Sequence, residues 1–140
     1  MDTQAQQLII GLDIGQSRVG IARAGWPLGL AQPWQTVSAD DLIGQIRDWA
    51  AQESLKAVVV GMPRGLSGQD TAQTAYVREV VEQLRTILSV PIHIQDEAVT
   101  SVRAEEELRD RGKPYTKEDI DALSAAYILE DYLAHPGAED

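Results

Sequence analysis

Cysteine is absent from the 140 residues, which excludes a disulfide framework, a thiolate zinc centre and a cysteine nucleophile. Any metal must then be held by carboxylates, histidine or water, a donor set that favours hard ions such as magnesium or manganese. Long apolar runs are also lacking: nothing approaches the ~20 consecutive apolar residues of a membrane span. The segment Met1 to Gln7 is polar, without the basic start and apolar stretch of a secretory signal. A cytoplasmic address and no membrane partner are therefore expected. Positive charge is scarce. Against 22 Asp and Glu stand 12 Lys and Arg, a formal net charge of −10, whereas nucleic-acid binders usually gain affinity from cations that neutralise phosphates. Part of the excess lies in solvated runs such as Glu105-Glu106-Glu107 and Glu139-Asp140, and a carboxylate-built cation site would use a further share. A nucleic-acid partner would be held weakly, through a metal or with another partner's help. A Walker phosphate loop, a HExxH helix and a Gly-x-Ser-x-Gly elbow are all missing, and the enzyme classes built on them lose support.

What is present fits one compact domain over residues 1–140, since 44% hydrophobic content suffices for a single core. Leu8 to Ile14 is a near-continuous apolar run, the pattern of a central strand buried on both faces. Gly15-Gln16-Ser17 makes a turn, and Arg18 to Ala22 returns as a second strand. A third, short strand is expected around Ala31 to Thr36. Ser38 then caps a helix through about Gln52, with Leu42, Ile46 and Trp49 on one face. Lys56 to Gly61 is a β-branched strand. Thr71 to Leu88 carries Val77, Val80, Val81, Leu84, Ile87 and Leu88 at helical spacing, and Pro91 to Gln95 is the last strand. Thr100 or Ser101 caps a third helix ending near Gly112, and a final helix runs from Lys117 to about Ala134. Antiparallel strands followed by strand-helix alternation give a mixed α/β sheet with helices on both faces.

Three carboxylates stand where solvated charges normally do not. Asp13 lies inside the apolar opening strand, where an unpaired carboxylate costs several kcal/mol and must be neutralised, paired or bound to a metal; a hydrogen bond to the following turn would serve as well. Glu97 follows the last strand, at the carboxyl end where open α/β sheets place their chemistry, although a charge near a helix N-terminus is the ordinary alternative. On the final helix, Thr116 and Asp119 stand in capping-box relation, which gives Asp119 a structural role. Asp121 falls in one stripe with Ala125, Ile128 and Tyr132 and so points at the protein. Acids from different elements that converge on metal ions are what phosphodiester cleavage requires. Among other residues, Trp26, Trp34 and His93 are expected to pack rather than bind ligand, while Arg64 in the Met62-Pro63-Arg64-Gly65 loop is a candidate phosphate contact.

At these residues the chain resembles the YqgF, or RuvX-type, family. The opening motif reads Gly11-Leu12-Asp13-Ile14-Gly15-Gln16-Ser17-Arg18-Val19-Gly20-Ile21-Ala22, followed by Pro27-Leu28-Gly29 and Ala31-Gln32-Pro33. Then come Gly61-Met62-Pro63 with Gly68, Asp96-Glu97-Ala98-Val99-Thr100-Ser101, and Ile120-Asp121-Ala122-Leu123-Ser124-Ala125-Ala126-Tyr127-Ile128-Leu129. The resemblance implies a ribonuclease H-like fold with a five-stranded mixed sheet and a metal-dependent nuclease. Its substrate would be structured nucleic acid: the 5′ end of pre-16S rRNA, or a Holliday junction. It also implies that Asp13, Glu97 and Asp121 are catalytic and hold Mg2+ or Mn2+, with Arg18 contacting substrate. A homodimer is compatible with it. Two positions depart from the family pattern: Ala98 replaces the usual arginine after the Asp-Glu pair, which removes a bidentate phosphate donor, and Ala24-Gly25 replaces a Ser-Asp. From the residues, the three acids are expected to gather at one end of the sheet, in a cleft lined by the loop from Met62 to Gly68. The competing expectation is a non-catalytic nucleic-acid-binding or ribosome-assembly module of the same fold. The phosphate hairpin of actin-like and sugar kinases is similar in pattern, but those folds need two lobes.

Overall fold

The computed structural model describes residues 7–52, 54–97 and 100–135. The opening apolar run forms β1 (Gln7–Ile14), which is paired along both edges. On one side it meets antiparallel β2 (Arg18–Trp26), itself paired with β3 (Gln32–Ser38); on the other it meets parallel β4 (Leu55–Pro63), then parallel β5 (Ile92–Glu97). The sheet order is β3-β2-β1-β4-β5. The carboxyl ends of β1, β4 and β5 therefore share one edge, and that edge carries Asp13 and Glu97.

Side chains alternate across the pleat, so each central strand feeds two cores. Ile10, Leu12 and Ile14 face α1 (Leu42–Gln52) and α2 (Ala72–Ile87), packing with Leu42, Ile46, Trp49, Val77 and Leu84. Ile9 and Val59 face the other way, against Ala104 and Leu108 of α3 (Thr100–Arg111) and the body of α4 (Lys117–Ala134). Each fully buried aliphatic side chain contributes about 1.5–3 kcal/mol, which makes β1, with Ile9, Ile10 and Leu12 at 0–1% exposure, the centre of the fold.

Every residue of α4 from Ala122 to Leu129 is buried, because the helix lies between the sheet and α3. Small side chains on both surfaces allow this close approach. A Cβ at Gly20 would overlap the backbone carbonyl of Asp121, and one at Gly11 would come within 2.8 Å of the Leu129 Cβ. The helix start is fixed by the expected capping box: Asp119 N donates to Thr116 Oγ1 at 3.2 Å and Thr116 N to Asp119 Oδ2 at 2.9 Å.

The mixed α/β architecture and the order of elements agree with the sequence reading, while several boundaries differ, among them β3, which runs to Ser38, and β4, which runs to Pro63. Pairing with β1 carries β2 on to Trp26, well past Ala22. Ser38 caps a short 3-10 turn, Ala39–Asp41, ahead of α1. Glu97 is the last residue of β5, held by pairing with Pro63, instead of lying in the following loop. No helix among the described residues is long and apolar enough to cross a membrane.

Candidate active site

Asp13 sits opposite Gly20 in the β1–β2 ladder, and the pleat turns its side chain to the α4 face. Since Gly20 has no side chain, the backbone of α4 at Asp121 and Ala122 drops onto that spot and brings Asp121 beside Asp13. The turn between β1 and β2 is closed by Gly15 N donating to Arg18 O at 2.9 Å. Together these groups border an open cavity of ≈ 390 Å³, walled by Asp13, Gly15, Ser17, Arg18, Gln73 and Asp121.

The two acids are treated differently. Arg18 donates from Nε to Asp121 Oδ2 at 2.6 Å, a charge-assisted bond. Asp13 has no such partner among the described residues. Burial, and then the neighbouring charge of Asp121, push its carboxyl up to about 6, with no donor acting in the opposite direction. A cation held between the two would relieve both causes. Oxygen donors from two separate elements, without sulfur, suit a hard divalent ion.

Glu97 is at the same edge and on the same face, two strands away. Its carboxyl hydrogen-bonds Asp131 near the end of α4 and also bonds Gln95. Burial and then Asp131 push it up to about 8, against the opposing charge of Arg103. Among the described residues no three Asp, Glu or His side chains converge closely enough to hold one ion. The expected gathering of all three acids is therefore corrected: Asp13 and Asp121 meet, and Glu97 turns to Asp131. The reason is the path of α4. The helix crosses the sheet diagonally, so its first turn meets β2 and β1 while its last turns reach β5, where Tyr132 stacks on His93 with ring centroids 5.0 Å apart.

The loop from Met62 to Gly68 does not line this cavity. Arg64 donates from Nε to Asp96 Oδ1 at 3.1 Å and also pairs with Asp70. It borders a separate hollow with Met62, Arg78 and Ile94, on the α2 face of the sheet. The pleat decides this, since Asp96 and Glu97 point to opposite faces. Trp34 packs, as expected, stacked on Trp49 at 4.4 Å. Ala98 lies outside the described residues. Two participants escaped the sequence reading. Gln73, in the first turn of α2, donates from Nε2 to the Ile14 carbonyl at 3.0 Å, and nothing in its surroundings in sequence marks it. Asp131 had a weak signal: it follows the buried Ile128 by three residues, close to the inward stripe.

A family model described as "RuvX: Holliday junction resolvase" matches residues 7–135. A protein of Chloroflexus aggregans named "Putative pre-16S rRNA nuclease" is 38% identical over 133 residues, covering 91% of this chain and 94% of its own. One of the same name from Sulfurihydrogenibium is 37% identical, covering 89% of this chain and 88% of its own. In solved structures, the fold is similar to Thermus thermophilus RuvC in complex with a Holliday junction substrate. The TM-score is 0.56 at 18% identity, covering 96% of this chain and 98% of that one. That likeness establishes the ribonuclease H-like fold.

Proposed function

This chain belongs to the RuvX family, and from that premise we propose that it is a metal-dependent nuclease of structured nucleic acid. Its main substrate is the 5′ region of pre-16S rRNA, with Holliday-type branched DNA as a second. The observation that supports this reading best is the meeting of Asp13 and Asp121 at an open cavity with Arg18 on its wall. Asp13 and Asp121 are the residues that would hold Mg2+ or Mn2+, with Glu97 as the third acid at the same edge. A bound ion supplies Lewis-acid activation of water and charge neutralisation at the phosphate.

The chain's own groups have distinct tasks. Asp13, lifted to about 6 by burial and Asp121, is ionised at neutral pH at the expense of stability, so it favours any cation that enters. Arg18, 39% exposed at its side chain, has further N–H groups beyond the one on Asp121 and can bond a phosphate oxygen. The hydrogen bond of Gln73 to Ile14 O braces the strand end that carries Asp13.

The test is a cleavage assay of the whole chain on a 5′-extended 16S precursor fragment and on a four-way DNA junction, with Mg2+, Mn2+ or EDTA. Cleavage with metal, abolished by EDTA and by Asp121→Asn, is the expected result. Binding of both substrates without cleavage in either metal would replace this reading with the non-catalytic binding module.

A further inference from the structure

The sugar-phosphate backbone of DNA offers a protein only hydrogen-bond acceptors. RNA adds one donor per nucleotide, the 2′-hydroxyl. A fixed protein acceptor beside a phosphate-binding cavity thus has a backbone partner in RNA and none in DNA.

Gln73 provides such an acceptor. Its Nε2 donates to the Ile14 carbonyl at 3.0 Å. A carbonyl can only accept, so this bond decides which end of the amide is nitrogen and leaves Oε1 at the other end. Gln73 lines the same cavity as Asp13, Arg18 and Asp121, and no donor from the described residues is bonded to Oε1. The position is rigid. The first turn of α2 is held by the Thr71–Thr74 capping box, and Thr74 Oγ1 donates to the Pro63 carbonyl at 2.6 Å. The other side-chain acceptors at the cavity are the carboxylates of Asp13 and Asp121 and the Gln16 and Ser17 side chains, the last two exposed in the β1–β2 turn. Gln73 differs from Gln16 and Ser17 in that its amide is oriented by a hydrogen bond to the Ile14 carbonyl.

We propose that Gln73 Oε1 accepts a hydrogen bond from the 2′-hydroxyl of the nucleotide seated in this cavity, and that this bond gives the chain a preference for RNA over DNA. The inference rests on the nuclease reading and specifies its substrate class.

The experiment compares wild type with Gln73→Met, which keeps the length and removes both the acceptor and the Nε2 donor to Ile14 O. Substrates are strands of one sequence, as RNA, as DNA, and as RNA with single 2′-deoxy substitutions around the cleaved bond. Cleavage efficiency is measured with Mg2+, and affinity in EDTA. A neutral hydrogen bond corresponds to roughly a three- to tenfold preference. Wild type should favour RNA by about that factor, and one 2′-deoxy substitution should remove it. In Gln73→Met the ratio of the RNA value to the DNA value should fall to about one, beyond any loss common to both substrates from the missing brace on Ile14, and the same 2′-deoxy substitution should have no further effect. If Gln73→Met lowers RNA and DNA equally, Gln73 only braces Ile14 and the inference is overturned, while the nuclease reading stands. An equal 2′-deoxy effect in both proteins also overturns it. If wild type neither binds nor cleaves any substrate, the nuclease reading fails and the inference fails with it.

Discussion

Arg18 and Asp121 are 103 residues apart in sequence, yet Nε of one lies 2.6 Å from Oδ2 of the other. The bond ties the β1–β2 hairpin to the N-terminal part of α4, the two elements that bring carboxylates to the cavity. It also pairs Arg18 with Asp121 at the cavity wall, where on the proposed reading its remaining N–H groups would serve a second task, meeting a phosphate.

Replacing the guanidinium separates these tasks. Arg18→Gln should raise KM for nucleic acid and reduce the salt slope of binding by about one, the signature of a lost phosphate contact. Binding titrations across a salt series check this. An unchanged slope would confine Arg18 to its partner Asp121.

Asp13→Asn should abolish cleavage and stabilise the fold. A carboxyl raised from 3.8 to about 6 in the native state binds more protons folded than unfolded across that window. Its contribution to stability is therefore complete below pH 3.8 and lost as pH rises through about 6. At pH 7 without divalent ions the wild type bears a penalty of up to about 3 kcal/mol that the amide does not. Thermal melts at pH 7.5 and pH 3.5 provide the check: a higher Tm for the variant at the upper pH only. A variant destabilised at pH 7.5 would show that the Asp13 carboxylate is a structural group.

Glu97 should titrate far above the usual carboxylate range, near its value of about 8. Asp131→Asn should lower that midpoint, but not to 4.5, because burial is the larger cause and remains. Since the folded-state value is raised, stability from Glu97 is present below pH 4.5 and lost as pH rises through about 8. Carboxyl carbon shifts of Glu97 followed from pH 4 to pH 9 report it directly. An unmoved midpoint in Asp131→Asn would rule out the pairing.

Gly20→Ala should damage both fold and site. The added methyl would coincide with the Asp121 backbone carbonyl, so α4 must lift from the sheet and carry Asp121 away from Asp13. Overpacking of this kind costs typically 1–3 kcal/mol, and backbone leaves less room for relief than side chain does. Denaturant unfolding and activity measured together test it. A fully stable, fully active variant would show that α4 does not rest on Gly20.

Several features were determined by sequence alone, because their causes are local. The apolar run of β1, the helical period of α2, and the Thr116–Asp119 capping box each depend on neighbours within a few residues, and each formed as written. Asp13 stood out because a carboxylate inside an apolar strand is anomalous without reference to anything distant. Asp121 was separated from Asp119 by helical phase, another local property. Pairings between elements were not legible in this way. Strand register puts Asp13 opposite Gly20, and the glycine lets α4 descend there. The diagonal course of that helix then sends Asp121 to Asp13 and Asp131 to Glu97, about ten residues or 15 Å further along the axis. The pleat of β5 leaves Arg64 on the other face with Asp70 and Asp96. Gln73 looked like any polar residue on a helix surface until tertiary packing placed its amide against Ile14. Which acids share a site, and which acceptor faces it, is decided by how rigid elements cross, and crossing is set by packing summed over the whole core.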